Sequence, residues 1–188
     1  MMKIALTGGI GTGKSYISHL LQTERGITVY DCDDAAKRLM RSSATLQEAL
    51  SQLVGSQLFA QGKMQKAVLA TFIMQSREHK EAVNNIVHPA VAADFEQSGL
   101  SWLESAIFFD SFFYRRTHID KVVCVTAPLP TRLSRIMQRD HISRQKAQQW
   151  IDLQLPQDEI AGKSDFVICN DGSQPLLPQI DNILNKIK

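Results

Sequence analysis

The sequence predicts an α/β fold, a five-stranded parallel sheet flanked by helices, and three observations carry that expectation. Short runs rich in Val, Ile and Leu alternate with stretches whose apolar residues recur at helical spacing. Several of the short runs are apolar at successive positions, as strands covered on both faces must be. Residues 45–99 interrupt the alternation with helical periodicity and no strand signal, which marks an inserted helical block.

Residues 3–7 (KIALT) read as a buried first strand that runs at once into glycines. Lys14–Arg25 has Ile17, Leu20 and Leu21 at spacings of three and four, an amphipathic helix closed by Gly26. Residues 27–32 (ITVYDC) form a second strand that ends among Asp31, Asp33 and Asp34, and residues 35–41 a second helix. In the helical block, Leu46, Leu50, Leu53, Val68, Leu69, Phe72, Ile73, Val83, Ile86 and Val87 keep the period, with Gly55, Gly62 and Pro89 as punctuation. Residues 102–109 (WLESAIFF) supply a third strand and Lys121–Thr126 (KVVCVT) a fourth. Residues 131–140 and 143–155 are polar helices with few apolar anchors. Phe166–Cys169 (FVIC) is a fifth strand, closed by the turn sequence Asn170-Asp171-Gly172, and residues 176–187 a last amphipathic helix.

The 188 residues carry 21 Lys and Arg against 19 Asp and Glu, a formal net charge of +2. With 44% apolar and 21% charged residues the composition is that of an ordinary globular chain. That balance offers no general surface for nucleic acid or membrane, and neither is expected as a partner. No run approaches the ~18 consecutive apolar residues of a membrane span. The opening residues hold too short an apolar run for a secretory leader, so a cytoplasmic location is expected. Cys32, Cys124 and Cys169 are odd in number, far apart and outside any CxxC or Cys/His cluster. They read as small buried residues of a reducing compartment rather than as zinc ligands or a redox pair.

The chemistry is concentrated in Gly8-Gly9-Ile10-Gly11-Thr12-Gly13-Lys14-Ser15, which fits G-x-x-x-x-G-K-[ST] between a strand and a helix. Glycines let successive N–H groups curl inward onto phosphate oxygens, and the following helix adds its positive end. Lys14 supplies a full charge for the β- and γ-phosphates, and the Ser15 hydroxyl a ligand for Mg2+. The chain is therefore expected to bind a nucleoside triphosphate with magnesium. A guanine-reading N-K-x-D and a D-x-x-G switch are both absent from the sequence, which argues against a GTPase. A short chain with a helical insertion and an arginine-bearing helix late in sequence suits a small-molecule kinase better than a motor or transporter.

Further motifs narrow the class. After TGGIGTGKS come Asp31-Cys32-Asp33, then His88-Pro89, then Arg135-Ile136-Met137-Gln138-Arg139-Asp140, Gln154, and Asp165-Phe166-Val167-Ile168-Cys169-Asn170-Asp171-Gly172. In this order, from residue 4 to residue 172, they resemble the dephospho-coenzyme A kinase family. The chain departs from the family pattern at Cys32, at Tyr16 where a Thr is usual, at residues 106–110 (AIFFD) where P-L-L-F-E is usual, and at Lys66 where an Arg is frequent.

The resemblance implies transfer of the γ-phosphoryl of ATP to the ribose 3′-hydroxyl of dephospho-CoA, giving CoA and ADP. It also implies a single P-loop kinase domain over 1–188, with an acceptor-binding helical subdomain at about 45–99 and a lid at about 132–155. Alternatives left open are another P-loop nucleotide or nucleoside kinase and an ATP-binding regulatory protein without turnover. Asp33, at the end of the second strand, is read as the group that orients the acceptor hydroxyl and takes its proton, against a plain helix cap. Asp34 is the better cap, and Asp31 a structural or magnesium-linked acid. Arg132, Arg135 and Arg139 share a helix face, with Arg139 the foremost candidate for the transferring phosphoryl and Arg132 the least, against a solvated charge run. The expected ATP contacts are Gly9, Gly11, Thr12, Gly13, Lys14, Ser15, Tyr16, Arg135, Arg139 and Asn170; Lys14, Asp33 and Arg139 are the catalytic set. Asp33 and His88 are the expected acceptor contacts. Which of Asp31, Glu104 and Asp110 orders magnesium is open at this point.

Overall fold

The computed structural model describes residues 2–187 and comprises two compact units. One joins the residues up to Tyr30 with those from Leu100 onward; the other is Asp31–Gly99. In chain order the elements are β1 (Ile4–Thr7), α1 (Lys14–Arg25), β2 (Val29–Asp31), α2 (Cys32–Ser42), α3 (Ala44–Val54), β3 (Phe59–Ala60), β4 (Lys63–Met64), α4 (Lys66–Gln75) and α5 (Arg77–Ser98). They continue with β5 (Trp102–Glu104), β6 (Lys121–Thr126), α6 (Leu129–Asp140), α7 (Arg144–Asp152), α8 (Gln157–Gly162), β7 (Phe166–Cys169) and α9 (Leu176–Lys186).

The first unit carries the five-stranded parallel sheet, ordered β2-β5-β1-β6-β7. β1 lies at its centre, with Ile4 opposite Trp102 of β5 on one side and Lys121 of β6 on the other. Strand order reverses beside β1, and ligands of open α/β sheets collect outside the carboxyl end at such a reversal. The chain leaves β1 there, straight into Gly8 and Gly9. All four residues of β1 are buried, which is why its sequence shows no alternation. Ile4, Leu6, Val123, Val125 and Ile168 from the sheet meet Ile17 and Leu21 of α1 and Ile180 and Ile183 of α9 in one core. α1 stops where the sequence predicts. Gly26 takes a left-handed φ of 65°, its N–H bonds to the Gln22 carbonyl, and the Ile27 N–H reaches back to Leu21.

The second unit packs α2, α3, α4 and α5 around Leu46, Leu50, Leu58, Leu69, Val83, Val87, Val91 and Phe95, all buried. It contains a strand pair that the periodicity hides, because β3 and β4 are two residues each. Phe59 faces Met64 and Ala60 faces Lys63 across a turn in which Gln61 and Gly62 both have positive φ, the geometry of a tight hairpin. Pro89 punctuates nothing: α5 runs through it from Arg77 to Ser98. The ring removes one helical N–H, a loss offset by the buried face of Val83, Val87, Val91, Ala92 and Phe95.

Other boundaries also shift. The third strand ends at Glu104, not at residue 109, since the Ser105 N–H makes its bond to Leu6 and the chain then turns through residues 106–112. α8 lies in a stretch too short to show a period. The α6–α7 segment is better anchored than its composition suggests. Leu133, Ile136 and Ala147 are fully buried together, with Ile10, Met137, Ile142, Trp150 and Ile151 packed on them.

Candidate active site

The loop from Gly8 to Ser15 curls between β1 and α1, and its glycines are there for room as much as for φ. A Cβ on Gly13, whose φ is 93°, would stand 2.3 Å from Asn170 Nδ2; one on Gly11 would stand 2.7 Å from the Arg132 carbonyl. Turning N–H groups inward turns carbonyls outward, and buried carbonyls need donors. The Gly9 carbonyl accepts from the Thr12 hydroxyl at 2.9 Å and from Lys14 Nζ at 3.3 Å. Ile10 accepts from Arg132 Nε at 2.9 Å. Gly11 and Thr12 accept from Arg135 at 3.3 and 3.1 Å, and Thr12 also from Asn170 Nδ2 at 2.8 Å. The Gly13 carbonyl takes the first N–H groups of α1, from Tyr16 and Ile17. Every carbonyl from Gly9 to Gly13 therefore has a donor.

Arg135 and Asn170, two of the residues read from the sequence as ATP contacts, bond to the carbonyl side of the loop and to each other, with Arg135 donating to the Asn170 carbonyl at 3.1 Å. Asn170, directly after β7, is held there by its N–H, which bonds to the Thr126 carbonyl at the end of β6. Thr12 is wholly buried and spends its hydroxyl inside the loop. Arg132, ranked last among the three arginines, lies deepest: it is 5% exposed, and a Cβ on Gly9 would come within 2.4 Å of its guanidinium. Burial lowers its pKa from the ordinary arginine value. Arg139 shares the face of Arg132 but lies two helical turns, roughly 10 Å, further along. Its exposed guanidinium pairs with Asp140 at 2.7 Å. Tyr16 points outward from α1, 55% exposed.

Lys14 is buried at the start of α1, and Cys124 of β6 lies within its field and that of Arg132. Burial pushes the Cys124 thiol up to about 11 against the pull of both cations. The thiol therefore stays neutral and has no nucleophilic part. Beside Lys14, the exposed Ser15 hydroxyl donates to Glu104 Oε1 at 3.0 Å, and Ser18 to Glu104 Oε2 at 2.6 Å. Of the three acids considered for magnesium, Glu104 is thus the one on Ser15. Asp31 instead caps α2, accepting the Asp34 N–H at 2.9 Å, so Asp31 and not Asp34 is the cap. Asp110 accepts the Leu155 N–H at 2.7 Å. A hydroxyl that donates to a carboxylate keeps its lone pairs for a cation, and hard oxygen donors beside a phosphate site suit Mg2+. No cluster of three or more His, Cys, Asp and Glu able to hold a metal occurs among the described residues.

In the other unit, Asp33 stands exposed in the first turn of α2. His88 is 8% exposed within α5 and is not a helix-end residue.

Residues 2–175 match the dephospho-CoA kinase family. The chain belongs to that family. It is 39% identical to the dephospho-CoA kinase of Bacteroides fragilis strain YCH46 over 186 residues, covering 95% of this chain and 89% of that one. It is 37% identical to the one from Porphyromonas gingivalis over 195 residues, covering 100% and 95%. The crystal structure of TT1252 from Thermus thermophilus superposes with a TM-score of 0.84 at 27% identity, covering 100% of this chain and 98% of that one. A dephospho-CoA kinase from Campylobacter jejuni (TM-score 0.65, 23% identity, 98% and 96% covered) and a shikimate kinase from Acinetobacter baumannii (0.58, 15%, 100% and 93%) share the fold. The protein is thus an ATP-dependent kinase of coenzyme A synthesis on a P-loop scaffold. Among the described residues no helix is long and apolar enough to cross a membrane.

Two placements are not legible in the sequence. Arg132 reads as one member of a charge run, and nothing local tells its buried position from the exposed one of Arg139. Glu104 is one of three acids considered for magnesium, and the pairing of β5 with β1, which sets Glu104 opposite Leu6, is what brings it to Ser15.

Proposed function

We propose that this enzyme transfers the γ-phosphoryl of ATP to the ribose 3′-hydroxyl of dephospho-CoA, releasing CoA and ADP in the cytoplasm. The observation that carries the reading is the Gly8–Ser15 loop at the carboxyl end of β1, complete with buried Lys14 and with Ser15 on Glu104. Lys14 and the inward N–H groups hold the β- and γ-phosphates and stabilise the charge that gathers there during transfer. Ser15, oriented by Glu104, is the protein's ligand for Mg2+, which when bound neutralises charge on the phosphates. Asp33 accepts the proton of the 3′-hydroxyl as that oxygen bonds to the γ-phosphorus and the bond to the β–γ bridging oxygen breaks. Its exposed place in the first turn of α2, where Asp31 and not Asp33 accepts the Asp34 N–H, supports that reading. Residues 45–99, with His88, hold the acceptor; within the lid segment 132–155 the anchored part seats the loop, and exposed Arg139 is the part that swings onto the triphosphate.

The test is a coupled ADP-release assay over dephospho-CoA, AMP, UMP and nucleosides, with Asp33→Asn alongside. Turnover with dephospho-CoA alone, slowed about 10²-fold in the variant while ATP affinity holds, is expected. Equal turnover with AMP would overturn the acceptor, and an unchanged kcat in Asp33→Asn would overturn the base.

A further inference from the structure

The backbone of Ile10 is held on both sides, at its N–H and at its carbonyl, by side chains more than a hundred residues away. Its N–H donates to Gln154 Oε1 at 2.7 Å, and its carbonyl accepts from Arg132 Nε at 2.9 Å. The grip is close, since a Cβ on Gly9 would lie 3.4 Å from Gln154 Oε1 and 2.4 Å from the Arg132 guanidinium. A phosphate loop works through the direction of its N–H groups. An N–H that donates to a protein carboxamide is directed away from the ligand, so Gln154 decides which way the first half of the loop faces. The residue after it is fixed as well, through the Leu155 N–H on Asp110 Oδ1 at 2.7 Å. Gln154 is separated from the end of α7 by one residue, its N–H bonded back to the Ile151 carbonyl, and α7 is seated on α6 through buried Ala147, Leu133 and Ile136. Arg132 and Arg135 of α6 bond to loop carbonyls, and Gln154 adds the α7 end's bond to a loop N–H.

We propose that Gln154 is a positioning residue for phosphoryl transfer: its carboxamide sets the Gly9–Ile10 peptide, and with it the path of the loop, to the seating of α7. This rests on the reading that the Gly8–Ser15 loop holds ATP. Small errors in the placement of reacting groups cost rate rather than ground-state affinity when the missing contact matters mainly in the transition state. Two variants separate the acceptor atom from the shape of the side chain. Gln154→Met keeps the length and removes the acceptor; Gln154→Glu keeps an acceptor oxygen at the same reach.

Steady-state kinetics of the full-length enzyme with ATP and dephospho-CoA, with thermal melting and Lys14→Ala measured alongside, tests this. Gln154→Met is expected to lower kcat about tenfold or more, with KM for ATP within about threefold of wild type and melting little changed. Gln154→Glu is expected to recover most of that kcat, with a raised KM for ATP from the added negative charge. A wild-type kcat in Gln154→Met overturns the proposal. So does an equal kcat loss in both variants, which would assign the effect to something other than the acceptor, and so does a change confined to KM. Wild-type turnover in Lys14→Ala would overturn the loop reading itself, independently of the Gln154 result.

Discussion

Gly13→Ala isolates the cost of crowding the loop, because Gly26→Ala supplies its control. Both glycines have left-handed φ, 93° and 65°, and both flank α1. Around Gly26 a new Cβ meets nothing within 4 Å, whereas at Gly13 it falls 2.3 Å from Asn170 Nδ2. An alanine forced into left-handed backbone costs about 1–2 kcal/mol, less the ~0.4–1 kcal/mol gained by stiffening the unfolded chain. Gly26→Ala should therefore destabilise by about 1 kcal/mol. Gly13→Ala adds displacement of a side chain held by Thr12 and Arg135, about 1–3 kcal/mol by analogy with overpacked cores, and the Asn170–Thr12 hydrogen bond, about 1 kcal/mol. The expected gap between the two variants is about 2–4 kcal/mol. Urea unfolding followed by the fluorescence of Trp102 and Trp150 reads it. Asn170→Ala in the Gly13→Ala background should cost less than the sum of the two single changes, because the clashing atom is gone. Equal losses at Gly13 and Gly26, or strict additivity with Asn170→Ala, would refute the packing account.

Glu104→Gln keeps an acceptor for Ser15 but removes the charge, so half-saturation by Mg2+ should rise about tenfold with little change in melting; an unaltered magnesium titration of kcat would detach Glu104 from the metal. Cys124 should resist iodoacetamide at pH 8 in the folded enzyme and react on unfolding, since burial keeps its thiol neutral. The sign of its linkage follows. The folded thiol holds its proton to about 11 and the unfolded one to 9.0, so its contribution to stability is full below the lower value and is lost as pH rises toward the upper. A Cys124→Ala enzyme should show a shallower loss of stability over that range in pH-dependent urea melts, and an identical slope would contradict it.

The sequence by itself determined what is local. The Gly8–Ser15 loop was legible because the chemistry of holding phosphate on backbone N–H groups dictates residue type at fixed spacing. α1 with its Gly26 stop, β6 and β7 were legible to the residue, because their periodicity and end signals lie inside one short window. Signals of two residues, as in β3 and β4, or a helix stabilised mainly by packing, as α5 is across Pro89, fall outside such a window. What the tertiary structure alone decided is the set of partners. Arg132, Arg135 and Arg139 are alike in sequence, yet two hold loop carbonyls and the third lies exposed on Asp140. Glu104, Gln154 and Asn170 reach the same eight-residue loop from three separate elements or links. The physical reason is that a loop whose N–H groups turn inward leaves a rim of carbonyls to be satisfied, and the donors that satisfy them are chosen by strand order and helix seating, which no stretch of sequence records.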